Sequence, residues 1–194
     1  MGSYTIIMET GNALVQLLRK ELVPEIMPNE DSIGLASPAD RGDLNLCVHL
    51  YDVSESEEYR QSGMQPGGLS RQKFPPIYLT LSYLITAFSA SDVKFRSGEE
   101  QRILGKVIQV LRDAPVFDPE TMQFGAGGSP EGIRMEMRRI EAEEKLKIWN
   151  FPNLANKLSL FYKIGPVPLE SARTKEIRRV RSIEFGLSGQ EDEK

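Results

Sequence analysis

The sequence predicts an α+β domain: a mostly antiparallel sheet with two long amphipathic helices packed on one face and a long strand pair extending beyond the core. Three observations lead there. Two long segments place apolar residues at helical spacing, and four others alternate with period two. Their order departs from the strict strand–helix alternation that a doubly wound, dinucleotide-binding fold requires. The length of 194 residues fits one domain with an appendage, read here as a domain over residues 1–170 and a charged C-terminal tail over 171–194.

Tyr4 to Val23 is the first helix. Leu14, Val15, Leu18 and Leu22 recur at i, i+1, i+4 and i+8 and form one apolar stripe. Gly11 and Asn12 weaken its first half, and Pro24 and Pro28 stop it. Pro28 to Asp43 is rich in turn formers and reads as a loop. In Leu44 to Val53, Leu44, Leu46, Val48 and Leu50 face one way while Asn45, Cys47, His49 and Tyr51 face the other, the pattern of a half-buried strand. Ser54 to Phe74 is polar and glycine-containing, a loop long for a compact domain. Ile77 to Phe88 is the longest alternating run, and at ~3.4 Å per residue it spans roughly 40 Å. It is expected to pair antiparallel with the preceding strand.

Ser97 to Ala114 is the second long helix. Ser97 and Glu100 have capping-box spacing, in which each side chain satisfies an orphan backbone amide of the first turn. Ile103, Leu104, Val107, Ile108 and Leu111 form its expected buried face, and Pro115 ends it. Val116 to Pro130 reads as a loop. Ile133 to Met137 alternates with Arg134, Glu136 and Arg138, a strand with one wet face. Glu141 to Asn150 is a short helix with Ala142, Lys145, Leu146 and Trp149 on one side, broken by Pro152. Leu158 to Ile164 alternates once more, and the tail is expected from near Pro166.

Composition narrows the function classes. Hydrophobic residues at 40% and charged residues at 27% describe an ordinary globular chain, not a disordered one. No apolar run reaches the ~18 residues of a membrane span. Met1 to Ile7 lacks the basic start and apolar core of a secretory signal, so an intracellular domain is expected. A single cysteine, Cys47, excludes an internal disulfide and a cysteine-based zinc site, and a single histidine, His49, excludes multi-histidine metal sites. A net charge of -4 gives no whole-chain case for nucleic acid.

The candidate chemistry is sparse. Cys47 and His49 share a strand face, but neighbours at i and i+2 lie ~7 Å apart, beyond direct hydrogen-bond reach for a nucleophile and its base. The run Phe124-Gly-Ala-Gly-Gly-Ser-Pro lacks the Gly-Lys-Ser/Thr of a phosphate loop and, with a loop expected before it, lacks the strand that precedes a dinucleotide fingerprint. Glu55, Glu57 and Glu58, and Glu141, Glu143 and Glu144, read as solvated carboxylates. No Gly-x-Ser-x-Gly elbow is present. No catalytic, cofactor-binding or metal-binding residue is therefore assigned. The one local charge asymmetry is the cluster Arg173, Lys175, Arg178, Arg179 and Arg181, a candidate partner interface. Nucleic acid is a weaker reading of it, because no aromatic residues are interleaved.

Several stretches taken together resemble one family. They are Leu35-Ala-Ser-Pro-Ala-Asp40, Leu44-Asn-Leu-Cys-Val-His-Leu-Tyr51, Pro75 to Phe88, Glu99 to Val116, and Leu158-Ser-Leu-Phe-Tyr162. The pairing of Tyr-Leu-Ile-Thr-Ala with a Glu-Gln-x-x-Leu-Gly helix closing on Asp-Ala-Pro is the most specific of these. The chain resembles, over roughly residues 5 to 170, the tail-cap or tail-terminator proteins of extracellular contractile injection systems, phage-tail-like particles of the antifeeding-prophage and virulence-cassette type. The resemblance implies a structural protein and not an enzyme. Its partners would be further copies of itself in a ring, expected six-fold, and the sheath and inner-tube proteins of the particle. No cofactor, membrane, nucleic acid or small-molecule substrate is expected. Assembly in the bacterial cytoplasm and later residence in the particle would follow. Another tail or baseplate connector, or a small binding module that uses the basic segment, are the alternatives.

Overall fold

Helix α1 (Ile6–Leu22) forms where the apolar stripe predicts it and buries Leu14, Val15, Leu18 and Leu22 together with Ile6, Thr10, Gly11 and Ala13. Strands β1 (Ile33–Leu35), β2 (Leu46–Glu55), β3 (Gln65–Pro66), β4 (Arg71–Lys73) and β5 (Ile77–Ala87) follow. Then come helix α2 (Val93–Asp113), strands β6 (Val116–Asp118), β7 (Gln123–Gly125) and β8 (Ile133–Met137), and helix α3 (Ala142–Ile148). Strands β9 (Ser159–Leu169) and β10 (Thr174–Glu176) complete the order. The computed structural model describes residues 4–56, 59, 62–66, 71–118, 120–125 and 132–176. No helix among these is long and apolar enough to cross a membrane.

The chain divides into two compact units, Met1–Gln61 with Pro76–Glu170, and Ser62–Pro75 with Ser171–Lys194. The first holds a seven-stranded sheet in the order β1-β2-β5-β9-β8-β6-β7, antiparallel throughout except for the parallel pair β1–β2. The second holds a three-stranded antiparallel sheet in the order β10-β4-β3. This is the expected α+β class, with β2 and β5 paired antiparallel.

Helices α1 and α2 cover one face of the large sheet. Leu14, Leu18, Leu104 and Val107 pack there with Val48, Leu81, Tyr83 and Ile85 in one core. Gly11 has a packing reason: a Cβ there would meet Leu35 Cδ1 at 3.2 Å and the Tyr83 hydroxyl at 3.4 Å, so the helix sits close on the sheet. The opposite face is not left to solvent. Leu84, Ile140, Trp149 and Phe161 form a second core with Tyr51 and Phe151 against it. The half-buried reading of β2 is thereby corrected at its start, where Leu46, Cys47 and Val48 are all buried. Trp149 and Phe151, arriving from the segment after α3, cover the second face.

Other expectations change for identifiable reasons. Helix α2 begins at Val93 after Asp92, so Ser97 and Glu100 lie within it and make no capping box. Glu100 instead accepts from the Ser89 amide at 3.1 Å and from Lys157 Nζ at 2.5 Å. The buried face of α2 uses Val110, while Ile108 is exposed. The presumed loop over Val116 to Pro130 carries β6 and β7, which pair through Val116↔Gly125. The presumed loop over Ser54 to Phe74 begins with the end of β2 and carries β3 and β4. Strand β9 runs past the expected start of the tail at Pro166 as far as Leu169. Leu146 and Leu158 are exposed, and Trp149 alone of its helix-side set is buried.

Candidate assembly interface

Two of the five predicted interface residues fall in described backbone. The Arg173 guanidinium stacks 4.4 Å from the centroid of Phe74, and its carbonyl accepts from the Phe74 amide at 3.2 Å. Lys175 sits on β10 opposite Gln72 and is exposed. Arg71 and Glu176 at the same ladder approach to 3.9 Å. Arg178, Arg179 and Arg181 lie outside the described residues, as do Glu57 and Glu58.

Cys47 and His49 do not make a nucleophile–base pair. Burial pushes the Cys47 thiol up to about 11, which works against a thiolate, and the nearby Arg41 only partly offsets it. His49 is held below its ordinary value by burial and sits edge-on to Phe151 at 5.7 Å. The glycine run does begin in a strand, since Phe124 and Gly125 belong to β7; its remainder lies outside the described residues. Glu141, Glu143 and Glu144 are exposed, and Glu144 approaches Arg138 at 3.9 Å. No cluster of His, Cys, Asp and Glu suited to a metal occurs among the described residues.

Two concave surfaces belong to the large sheet. One, of about 400 Å³, is polar and is lined by Ser54, Glu55, Thr80, Arg134, Glu136 and Lys163. Its charges are matched in part, with Lys163 Nζ 3.1 Å from Glu136 Oε2. The other, of about 450 Å³, is more apolar and lies at the margin where α1 meets the outer strands. Ile7, Met8, Gly11, Leu35, Leu50 and Tyr83 line it. The Tyr83 side chain is 1% exposed, and its hydroxyl is the one buried side-chain polar atom without a hydrogen-bond partner among the described residues. Burial raises the pKa of this phenol well above its ordinary value, so it stays protonated.

The same margin carries an incomplete ladder. Strand β1 pairs with β2 only over Ile33↔Leu46 to Leu35↔Val48, and beyond Val48 no described strand lies on that side. The pairing parity says which backbone groups point outward. Phe88 donates to Asn45 O and Ser56 donates to Tyr78 O, so the Asn45 carbonyl and the Ser56 amide face β5, while the Asn45 amide donates to Ser32 O on the other side. The register shifts by one between Leu50 and Asp52. Leu50, Val53 and Glu55 therefore turn their amides and carbonyls away from β5, to a side where no described strand pairs with them. The outer strand itself is blunted, because Arg19 donates to Ile33 O from Nε at 3.1 Å and Nη2 at 2.7 Å. The β2 edge has no such cover among the described residues.

Sequence reasoning did not find this edge. A signal was present: the apolar positions run Leu46, Val48, Leu50 and then Val53, a parity break that marks the bulge.

Among the described residues the fold is α+β, with three helices and a β2 edge that no described strand covers past Val48. The chain belongs to the family described as the Pvc16 N-terminal domain, which it matches over residues 9–182. Its fold is similar to that of a PVC sheath/tube terminator from an extracellular contractile injection system, in the extended state, with a TM-score of 0.63 and 17% identity. It is also similar to the tube-terminating cap of the anti-feeding prophage, with a TM-score of 0.57 and 20% identity. These alignments cover 98% and 91% of this chain, but only 65% and 59% of the two relatives. No curated protein matches the chain.

Proposed function

We propose that this chain is the structural cap of a contractile, phage-tail-like injection particle. It seats as a ring of copies, six by the expected symmetry of the tail, on the last layer of sheath and tube and ends their growth. The observation that carries this reading is the family match over residues 9–182, supported by the two cap-like folds. The physical logic is simple. Subunits that stack head to tail leave an open end, and a cap binds that end while offering no surface for another layer. Contact area does the work, so no reaction, cofactor or small-molecule substrate is needed. Assembly would take place in the bacterial cytoplasm before the particle is released.

The test is to delete the gene and measure particle lengths by electron microscopy. Loss of a defined length, with an overlong or broadened distribution, is expected. Restoring the chain should narrow it again. Unchanged lengths in particles that lack the chain would refute the reading, as would labelled copies distributed along the whole tube.

A further inference from the structure

Strands β8 and β9 pair directly, from Arg134↔Gly165 to Met137↔Tyr162, and the Arg138 amide extends the ladder by donating to Phe161 O at 2.8 Å. A tight hairpin turn is enough to join two such strands. Instead, residues 139–158 leave the ladder, carry α3, and fold back over the second face of the large sheet. We propose that this segment is a latched cover that lifts from the sheet as one unit, while the sheet and its α1–α2 core stay folded. The inference goes beyond the cap reading and does not depend on it.

Four observations carry it. First, the cover rests on a separate core. Its buried side chains, Ile140 and Trp149, cluster with Leu84 and Phe161, and none of its residues enters the larger core beneath α1 and α2. Lifting it sacrifices the small cluster and leaves the large one whole. Second, no ladder has to break. Among the described residues its backbone hydrogen bonds close on the segment itself, as from Trp149 to Lys145 O at 2.9 Å and from Leu154 to Phe151 O at 3.4 Å. The Trp149 indole also donates within the segment, to Leu154 O at 3.4 Å. Third, the helix does not grip the sheet. Helix α3 buries no residue and its Leu146 is 61% exposed. An element with so few buried contacts sits at the low end of local stability. Fourth, polar latches stand at both ends. Arg138 donates from Nη1 to the Tyr51 hydroxyl at 3.3 Å and holds Nη2 3.9 Å from Glu144 Oε1. At the far end Lys157 Nζ pairs with Glu100 Oε1 and lies 5.0 Å from the Phe88 ring centroid.

The consequence is two surfaces of opposite character at one place. Closed, the chain presents the exposed charges of Glu143, Glu144, Lys145 and Lys147. Lifted, it uncovers Leu84 and Phe161 with Tyr51 beside them. A contact made through either surface excludes the other.

The test is native-state hydrogen exchange on the full-length chain, labelled with nitrogen-15, in rising urea below the unfolding transition. The chain has one tryptophan, so the single indole N–H signal reports on the underside of the cover without ambiguity. The amides of Trp149 and Leu154 and this indole should exchange through one opening of small urea dependence. They should exchange about a hundredfold or more faster than the β9 amides paired with β5. Ile85→Val, in the large core, should speed β9 exchange by about twofold to tenfold and leave the cover unchanged, because that core is intact in both the closed and the lifted form. Phe151→Ala should speed exchange of the cover by about tenfold or remove its protection altogether. Three results overturn the proposal. One is cover amides that share the rate and urea dependence of β9. Another is Ile85→Val accelerating the cover as much as β9. The third is a fast Trp149 amide beside an indole as slow as β9, which is fraying of α3 without lifting.

Discussion

Replacing Tyr83 by Phe removes one oxygen from the interior, and the structure gives the sign of the effect. The hydroxyl is buried, has no hydrogen-bond partner among the described residues, and lies where a Cβ on Gly11 would come within 3.4 Å. In the unfolded chain the same hydroxyl is bonded to water. Folding therefore strips a donor and an acceptor without replacement, a cost of about 1–3 kcal/mol. The ring keeps its packing against the α1 face of the core, so little dispersion is lost. Tyr83→Phe should thus stabilise the isolated chain by about 1–2 kcal/mol. At ~2–4 °C per kcal/mol for a chain of this size, the midpoint should rise by about 2–8 °C. Urea denaturation followed by circular dichroism gives the free energy directly, and an unchanged slope would show that the denatured state is the same. A loss of about 1 kcal/mol or more would refute the reasoning, because it would mean that the hydroxyl already holds a partner in the folded chain.

Three further outcomes are expected. Gly165→Ala brings a Cβ to 3.2 Å from Leu79 O and 3.4 Å from Thr80 Oγ1, and a carbonyl of the paired strand cannot swing aside; a loss of about 1–3 kcal/mol in urea denaturation is expected, and a neutral result would show that β9 shifts freely. Lys157→Met should cost about 1–3 kcal/mol, because it leaves the largely buried Glu100 with only the Ser89 amide and removes a cation 5.0 Å above Phe88. Adding Glu100→Leu should recover part of that loss, and strict additivity in the double-mutant cycle would count against a coupled pair. Acid sensitivity should have two sources. The hydroxyls of Ser89 and Ser91, each 2.6 Å from Glu99 Oε2, hold that carboxyl below its ordinary value of 4.5. Its contribution is full above that value and disappears as pH falls through the lowered folded one, so Ser89→Ala with Ser91→Ala should flatten this acid limb. Burial holds His49 below 6.5, so the unfolded chain takes up its proton first and stability declines as pH falls below 6.5. His49→Gln should flatten that second slope, and an unaltered pH profile would remove His49 from the account.

Legibility followed the range of the interaction. The stripe of α1 and the alternation of Ile77 to Phe88 are local repeats, and both elements appear within a residue or two of their expected bounds. Short strands failed for the opposite reason. Val116–Asp118 and Gln123–Gly125 are too brief to show a period, and they exist because each has a partner elsewhere in the sheet. Glu100 shows how a local rule fails: its spacing from Ser97 fits a cap, but the helix starts a turn earlier at Val93, and Glu100 pairs instead with Lys157, far along the chain. The basic cluster was visible as charge alone. Its first member, Arg173, is engaged with Phe74, a contact that spacing along the chain does not show.

Read by itself, the order of residues determined the α+β class, the two long helices, the long strands, and the single cysteine and single histidine that limit disulfide and histidine–metal chemistry, because periodicity and residue inventory are properties of the chain. Folding in three dimensions decided that both faces of the sheet are covered and that, among the described residues, the buried Tyr83 hydroxyl has no partner and β2 past Val48 has no neighbouring strand on its outer side. A period of two tells which way a side chain points. It does not tell which strand, if any, lies alongside, because the backbone groups that pair strands are the same in every residue but proline and their partners are chosen across the whole chain.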